Sequence, residues 1–248
     1  MRTALVLTGH MRAWELAFPS IKEQFLDKYN PDVYIYTWSN RGYWVDPKND
    51  PKELGVIEDE PIDRIDVKFA YKPKFFQFLP TNTIVRNVVD NMLAEYPIIT
   101  EKCGEIRPKN IMFQFLFWQS ALQEMEAAAT KENIEYDLVI RTRPDIIWHK
   151  PFPDMLPENL YTVRHPNHTG HGTGDMFFAG GQNCVMPFAK TFNQAPYLTK
   201  LNNRFCPHMF MTSIIDQFGL SWVELDIPKT IMHTPIGQYM DYRTGSKL

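Results

Sequence analysis

Cysteine is scarce: Cys103, Cys184 and Cys206 are three in 248 residues, an odd number at wide spacing. That excludes a disulfide framework and fits a reducing compartment. Long apolar runs are missing from the N-terminus. The run Ala4 to Leu7 ends at Thr8-Gly9, far short of a secretory leader's apolar stretch or of the roughly 20 residues that span a membrane, so a cytoplasmic location is expected. No basic block occurs and the formal net charge is -3, which removes the electrostatic footprint of a protein that grips nucleic acid through its phosphates. Gly-x-x-x-x-Gly-Lys and Gly-x-Gly-x-x-Gly are both absent. With them go P-loop kinases, P-loop sulfotransferases and dinucleotide oxidoreductases. His165, His168 and His171 match no common zinc spacing and no cysteine joins them, so they read as a surface loop.

What is present is a globular composition, 44% hydrophobic and 22% charged, on a chain long enough for one elaborated domain spanning 1–248. Residues 3 to 7 form a continuous apolar run, the pattern of a strand buried on both faces of a parallel sheet. Residues 14 to 29 carry a helical stripe at 14, 17, 18, 21, 25 and 26, with a break or a restart expected near Pro19. Residues 32 to 38 read as a second strand. Strand, helix, strand predicts a βαβ unit and an α/β fold with a crevice beyond the carboxyl ends of its strands.

Pro47, Pro51 and Pro61 mark 39 to 61 as a surface excursion, and 63 to 71 is expected as a third strand. Helices are expected over 83 to 95 and over 108 to 130, the latter started by Pro108 and apolar almost all round its first half. Asn110, Gln114 and Gln119 are its polar exceptions, and Gln114 and Gln119 are candidate ligand contacts unless neighbouring backbone takes them. Short strands at 159 to 163, 175 to 179 and 221 to 227, a helix over 207 to 218 and an irregular tail complete the reading.

Residues 136 to 148 form the most informative expected strand. In Val139-Ile140-Arg141-Thr142-Arg143-Pro144-Asp145 the two-residue period puts Arg141, Arg143 and Asp145 on one face if the chain stays extended. Two arginines on an apolar strand must meet an anion. That anion is either internal, with Asp145 neutralising one of them, or a ligand at the strand's carboxyl end, where guanidinium forks fit diphosphate oxygens and Asp145 can hold a divalent cation, Mn²⁺ or Mg²⁺.

The segments Leu5 to Arg12, Tyr34 to Trp38 and Tyr136 to Asp145 together resemble GT-A glycosyltransferases of large viruses and bacterial surface-polysaccharide clusters, over about the first 180 residues. The resemblance implies a GT-A-like, Rossmann-like, mainly parallel mixed sheet flanked by helices. Its nucleotide-binding half would be about 1–150 and its acceptor-side half about 151–248. It implies a nucleotide-diphosphate sugar donor and a glycan hydroxyl acceptor. Thr8, Gly9, His10 and Arg12 would meet the nucleoside, and the strand ending at Asp145 would replace the metal-binding Asp-x-Asp element, with Arg143 where the first acid belongs. Gly174 to Gly181 resembles the strand lining the acceptor side, so Asp175 becomes the first choice for the base and His208 the second. Glycines 170, 172 and 174 would permit a closing loop. A glycan- or nucleotide-binding module without catalysis, and a nucleotidyltransferase, remain alternatives.

Overall fold

The computed structural model describes residues 1–41, 61–80, 83–103, 108–163, 174–232 and 239–241. Strand β1 (Thr3–Gly9) lies between β2 (Asp32–Trp38) and β4 (Leu138–Thr142) and is parallel to both. Side chains of β1 alternate between the two faces. Ala4 and Val6 join one buried cluster with Phe115, Trp118 and Leu122 of α6 (Pro108–Glu132). Leu5 and Leu7 join another with Trp14, Ala17 and Ile21 of α1 (Trp14–Ile21). Helices on both faces are why the strand is apolar throughout rather than alternating.

The main sheet has seven strands in the order β3-β2-β1-β4-β7-β6-β8, with β3 (Phe75–Leu79), β6 (Leu160–Val163), β7 (Phe177–Gly180) and β8 (Trp222–Leu225) completing it. Only β7 runs against its neighbours, antiparallel to β4 and β6. The sheet is therefore mixed, mainly parallel and Rossmann-like. The chain leaves β1 towards β2 and later returns to β1's other side as β4, so a topological switch point lies between the carboxyl ends of β1 and β4. Because β7 is antiparallel, its amino end, preceded by Asp175, opens at that same edge: Thr142 pairs with Phe177.

Four expectations need correction. Residues 63 to 71 are helix α3 (Arg64–Tyr71) rather than a strand. Ile65, Val67 and Phe69 alternate and mimic a strand, but the Asp63 side chain caps the first turn through the N–H groups of Ile65 and Asp66, and the buried residues are Val67 and Tyr71, four apart. The third strand is Phe75–Leu79. Pro19 does not break α1, which runs on into a π-helical turn over Lys22–Leu26 and the short α2 (Asp27–Tyr29). Residues 136 to 148 are not one strand: the chain turns at Pro144-Asp145 and continues as β5 (Ile146–Trp148) in a separate three-stranded sheet. The tail supplies the other two strands of that sheet, β9 (Lys229–Met232) and β10 (Tyr239–Asp241).

The helices expected over 83 to 95, 108 to 130 and 207 to 218 are α4 (Thr83–Glu95), α6 and α9 (Pro207–Gln217); between α4 and α6 lies α5 (Ile98–Glu101). A helical stretch missed in the sequence, α7 (Gln182–Val185), a 3₁₀ turn and α8 (Thr191–Asn202), packs beside α6. Most of the excursion, residues 42–60, lies outside the described residues, as do His165, His168, His171 and glycines 170 and 172. Its ends meet, with Asn40 and Pro61 forming an isolated bridge.

Candidate active site at the switch point

At the tip of β1, Gly9 takes φ +117°, a conformation open to glycine and strained for other residues. The carbonyl of Gly9 accepts from Thr37 Oγ1 at 2.6 Å, which ties the tip to β2. His10 then stacks on Trp38, with ring centroids 6.0 Å apart. Burial, reinforced by the charges of Arg12 and Arg143 against a smaller opposing pull from Asp145, holds the His10 pKa down at about 3. The imidazole is neutral at physiological pH.

Arg12 and Arg143 converge on Asp145. Arg143 donates from Nε to Oδ1 at 2.9 Å and from Nη2 to Oδ2 at 2.8 Å; Arg12 Nη1 donates to Oδ2 at 3.1 Å. Asp145 is fully buried, whereas the Arg143 side chain keeps 21% of its surface exposed. Burial pushes the Asp145 carboxyl up, but the Arg143 charge and hydrogen bond, then the Arg12 charge, outweigh it and hold the pKa below the ordinary value. The internal anion considered for Arg143 is thus Asp145, reached through a turn rather than along an extended strand. In this arrangement Asp145 does not fit a cation site: three guanidinium N–H donors take its two oxygens.

Arg141 is placed differently. Its side chain is buried against the rings of Trp118 and Phe178, with the guanidinium carbon 4.6 and 5.5 Å from their centroids. Nε donates to Thr8 Oγ1 at 2.8 Å and Nη1 to the backbone carbonyl of Asp175 at 2.6 Å. Both hydrogen-bond acceptors are neutral, and the carboxylates that attract this charge, Asp175 before Asp145, act on it at longer range. Burial lowers the Arg141 pKa to about 9, which leaves the group charged at neutral pH. Thr8, expected at the nucleoside, has the structural task of fixing this fork.

Asp175 forms the other half of the site. Gln114 Nε2 donates to Asp175 Oδ2 at 2.8 Å, and His208 Nδ1 stands 3.9 Å from Asp175 Oδ1. His208 is the second residue of α9, behind Pro207 at the first helical position, so the positive end of that helix lies beside the carboxylate. Gln119, weighed with Gln114, instead accepts from the backbone N–H of Asn193 at 3.4 Å. Asn110 is exposed.

Lys229 was missed in the sequence. It is 4% exposed on β9, and burial pulls its pKa down to about 8 against the attraction of Asp175, Asp226 and Glu224. The signal was a lone cation inside Ile227-Pro228-Lys229-Thr230-Ile231-Met232, an otherwise apolar and β-branched run. Trp118, the platform for Arg141, was legible only as core.

The chain matches no protein-family model, and no curated protein is significantly similar to it. Among the described residues no helix is long and apolar enough to cross a membrane.

Proposed function

We propose that the protein is a glycosyltransferase of GT-A type that moves a sugar from a nucleotide-diphosphate sugar to a glycan hydroxyl. The observation that carries this reading is the meeting, at one switch point, of a carboxylate suited to take a proton and a buried guanidinium held by neutral acceptors. Asp175 and Arg141 are joined directly, through the Asp175 carbonyl. A mainly parallel mixed sheet with Arg-x-Arg-Pro-Asp at the end of β4 supports the finer fold assignment, as do the three sequence segments that resemble that family.

In this reading Asp175 takes the proton of the acceptor hydroxyl while that oxygen attacks the anomeric carbon. The bond from that carbon to the diphosphate breaks, and its electron pair leaves with the nucleoside diphosphate. Gln114 orients Asp175 by donating to Oδ2, which directs Oδ1 towards substrate and His208. Arg141 and Arg143 stabilise the negative charge that develops on the leaving group, in surroundings where little water screens it. Gly9, His10 and Arg12 line the nucleoside side.

Slow donor hydrolysis tests the proposal. Purified protein incubated with UDP-, GDP- and dTDP-sugars is expected to release the nucleoside diphosphate from one of them without acceptor. No release across the panel would favour a binding module without catalysis. Release of pyrophosphate from a nucleoside triphosphate would point to a nucleotidyltransferase.

A further inference from the structure

We infer that His10 reads the donor's base: the Nε2–H of its ring meets an exocyclic oxygen, so the site selects uracil, thymine or guanine nucleotides over those of cytosine and adenine. The inference rests on the glycosyltransferase reading of the site and names the class of nucleotide which that reading leaves open.

The ring is fixed in place. The Gly9 carbonyl before it is tied to Thr37 of β2, and the imidazole stacks on Trp38. Trp38 is itself buried and packs against Phe113 and Phe117 of α6, with ring centroids 5.0 and 4.9 Å away. A donor carried on such a ring is pre-organised for a ligand.

Burial places the proton. His10 Nδ1 is buried and has no hydrogen-bond partner among the described residues, while the residue as a whole is only half-buried. Nδ1 is thus the closed edge of the ring, and Nε2 is the edge left for a ligand. The neutral ring holds a single N–H. Orphaned buried N–H groups are rarer in proteins than under-satisfied acceptors, so Nδ1 keeps a lone pair and Nε2 carries the hydrogen. His10 therefore offers one donor and no charge, which suits a neutral oxygen rather than a phosphate.

Position decides which oxygen. Arg141 stands on β4 and Trp38 on β2, with β1 between them. At the usual spacing of neighbouring strands the two lines of backbone are roughly 10 Å apart along the sheet edge. A nucleotide whose diphosphate meets Arg141 turns the far side of its base towards His10. That side carries the group that divides the bases, an oxygen acceptor in uracil, thymine and guanine and an amino donor in cytosine and adenine. Facing Nε2–H, the oxygen makes a hydrogen bond and the amino group does not.

Calorimetric titration of the full chain with UDP, dTDP, GDP, CDP and ADP tests this. The tightest binder is expected to be UDP, dTDP or GDP, held at least about tenfold more tightly than its amino counterpart, CDP for the pyrimidines and ADP for GDP. His10→Phe keeps a ring on Trp38 and removes the donor. It is expected to weaken the preferred diphosphate about three- to tenfold and the amino counterpart by less than about twofold, with a thermal melt to check that it is folded. CDP or ADP bound as tightly as the best of the others overturns the inference and leaves the glycosyltransferase reading standing. So does a folded His10→Phe protein that keeps the wild-type preference, or one that loses affinity for both counterparts alike, which would make His10 a contact to ribose or phosphate. If that variant does not fold, the titrations of the unaltered protein decide. No diphosphate bound at all removes the reading of the site, and the inference with it.

Discussion

Gln114 and Asp175 are 61 residues apart in the chain, one on the central helix α6 and the other before β7, and they meet through a 2.8 Å hydrogen bond from Nε2 to Oδ2. A glutamine in the apolar first half of this helix is accounted for by this contact. It holds one oxygen of the carboxylate, while His208 Nδ1 stands 3.9 Å from the other.

The first prediction concerns that carboxylate. Asp175→Asn keeps the size of the side chain and removes its capacity to take a proton. Transfer is expected to fall by about 10²- to 10⁴-fold, the usual contribution of a general base, while the affinity for nucleoside diphosphate stays within about twofold. Single-turnover kinetics alongside calorimetry separate the two effects. A loss of diphosphate binding with the chemistry unimpaired would assign Asp175 to donor recognition instead.

The parallel half of the sheet was legible in the sequence because burial on both faces writes an uninterrupted apolar run, as in Ala4 to Leu7, and because the first half of α6 is apolar nearly all round. Residues 63 to 71 misled because an exposed Ile65 and Phe69 flank a buried Val67, and alternation of residue type is not alternation of burial. The turn at Pro144 was hidden for a related reason. Proline favours an extended residue before it, but it equally starts a turn, and only the pairing of β5 with β9 decides between them. Arg143 and Asp145 therefore meet as an ion pair, not as two projections from one strand face. Gln114 was named from the helix pattern and Asp175 and His208 from the resemblance, yet their juxtaposition depends on the antiparallel placement of β7 beside β4, which no local pattern encodes.

The second prediction concerns acid stability. In the folded protein the His10 pKa lies at about 3, below its ordinary value of 6.5. As pH falls through that window the unfolded chain takes up a proton that the folded one refuses, so stability is lost. Above pH 6.5 both states are neutral at this position and nothing is lost. His10→Phe keeps a ring against Trp38 and cannot titrate. Its Tm is expected to fall less steeply than that of the unaltered protein between pH 6.5 and the onset of acid unfolding. Parallel melting curves would show instead that Asp145, whose pairing with Arg143 and Arg12 is also lost on acidification, dominates the acid limb.

The third prediction tests the tip of β1 as a device that positions the arginines. A Cβ added at Gly9 would meet only Arg143 Cγ, at 3.9 Å, an ordinary contact, so space is not what requires glycine there. The backbone is: at φ +117° a side-chain-bearing residue is strained by about 1–3 kcal/mol. Gly9→Ala relieves that strain by rotating the peptide, which pulls the Gly9 carbonyl away from Thr37 Oγ1 and shifts His10 and Arg12 with it. Because Arg12 ends on Asp145, the displacement reaches the Arg143 fork. The expected result is a destabilisation of about 1–3 kcal/mol in denaturant titrations, together with weaker diphosphate binding. A destabilised protein that still bound diphosphate with unchanged affinity would show that the glycine serves the turn alone, and that the arginine cluster holds its geometry without it.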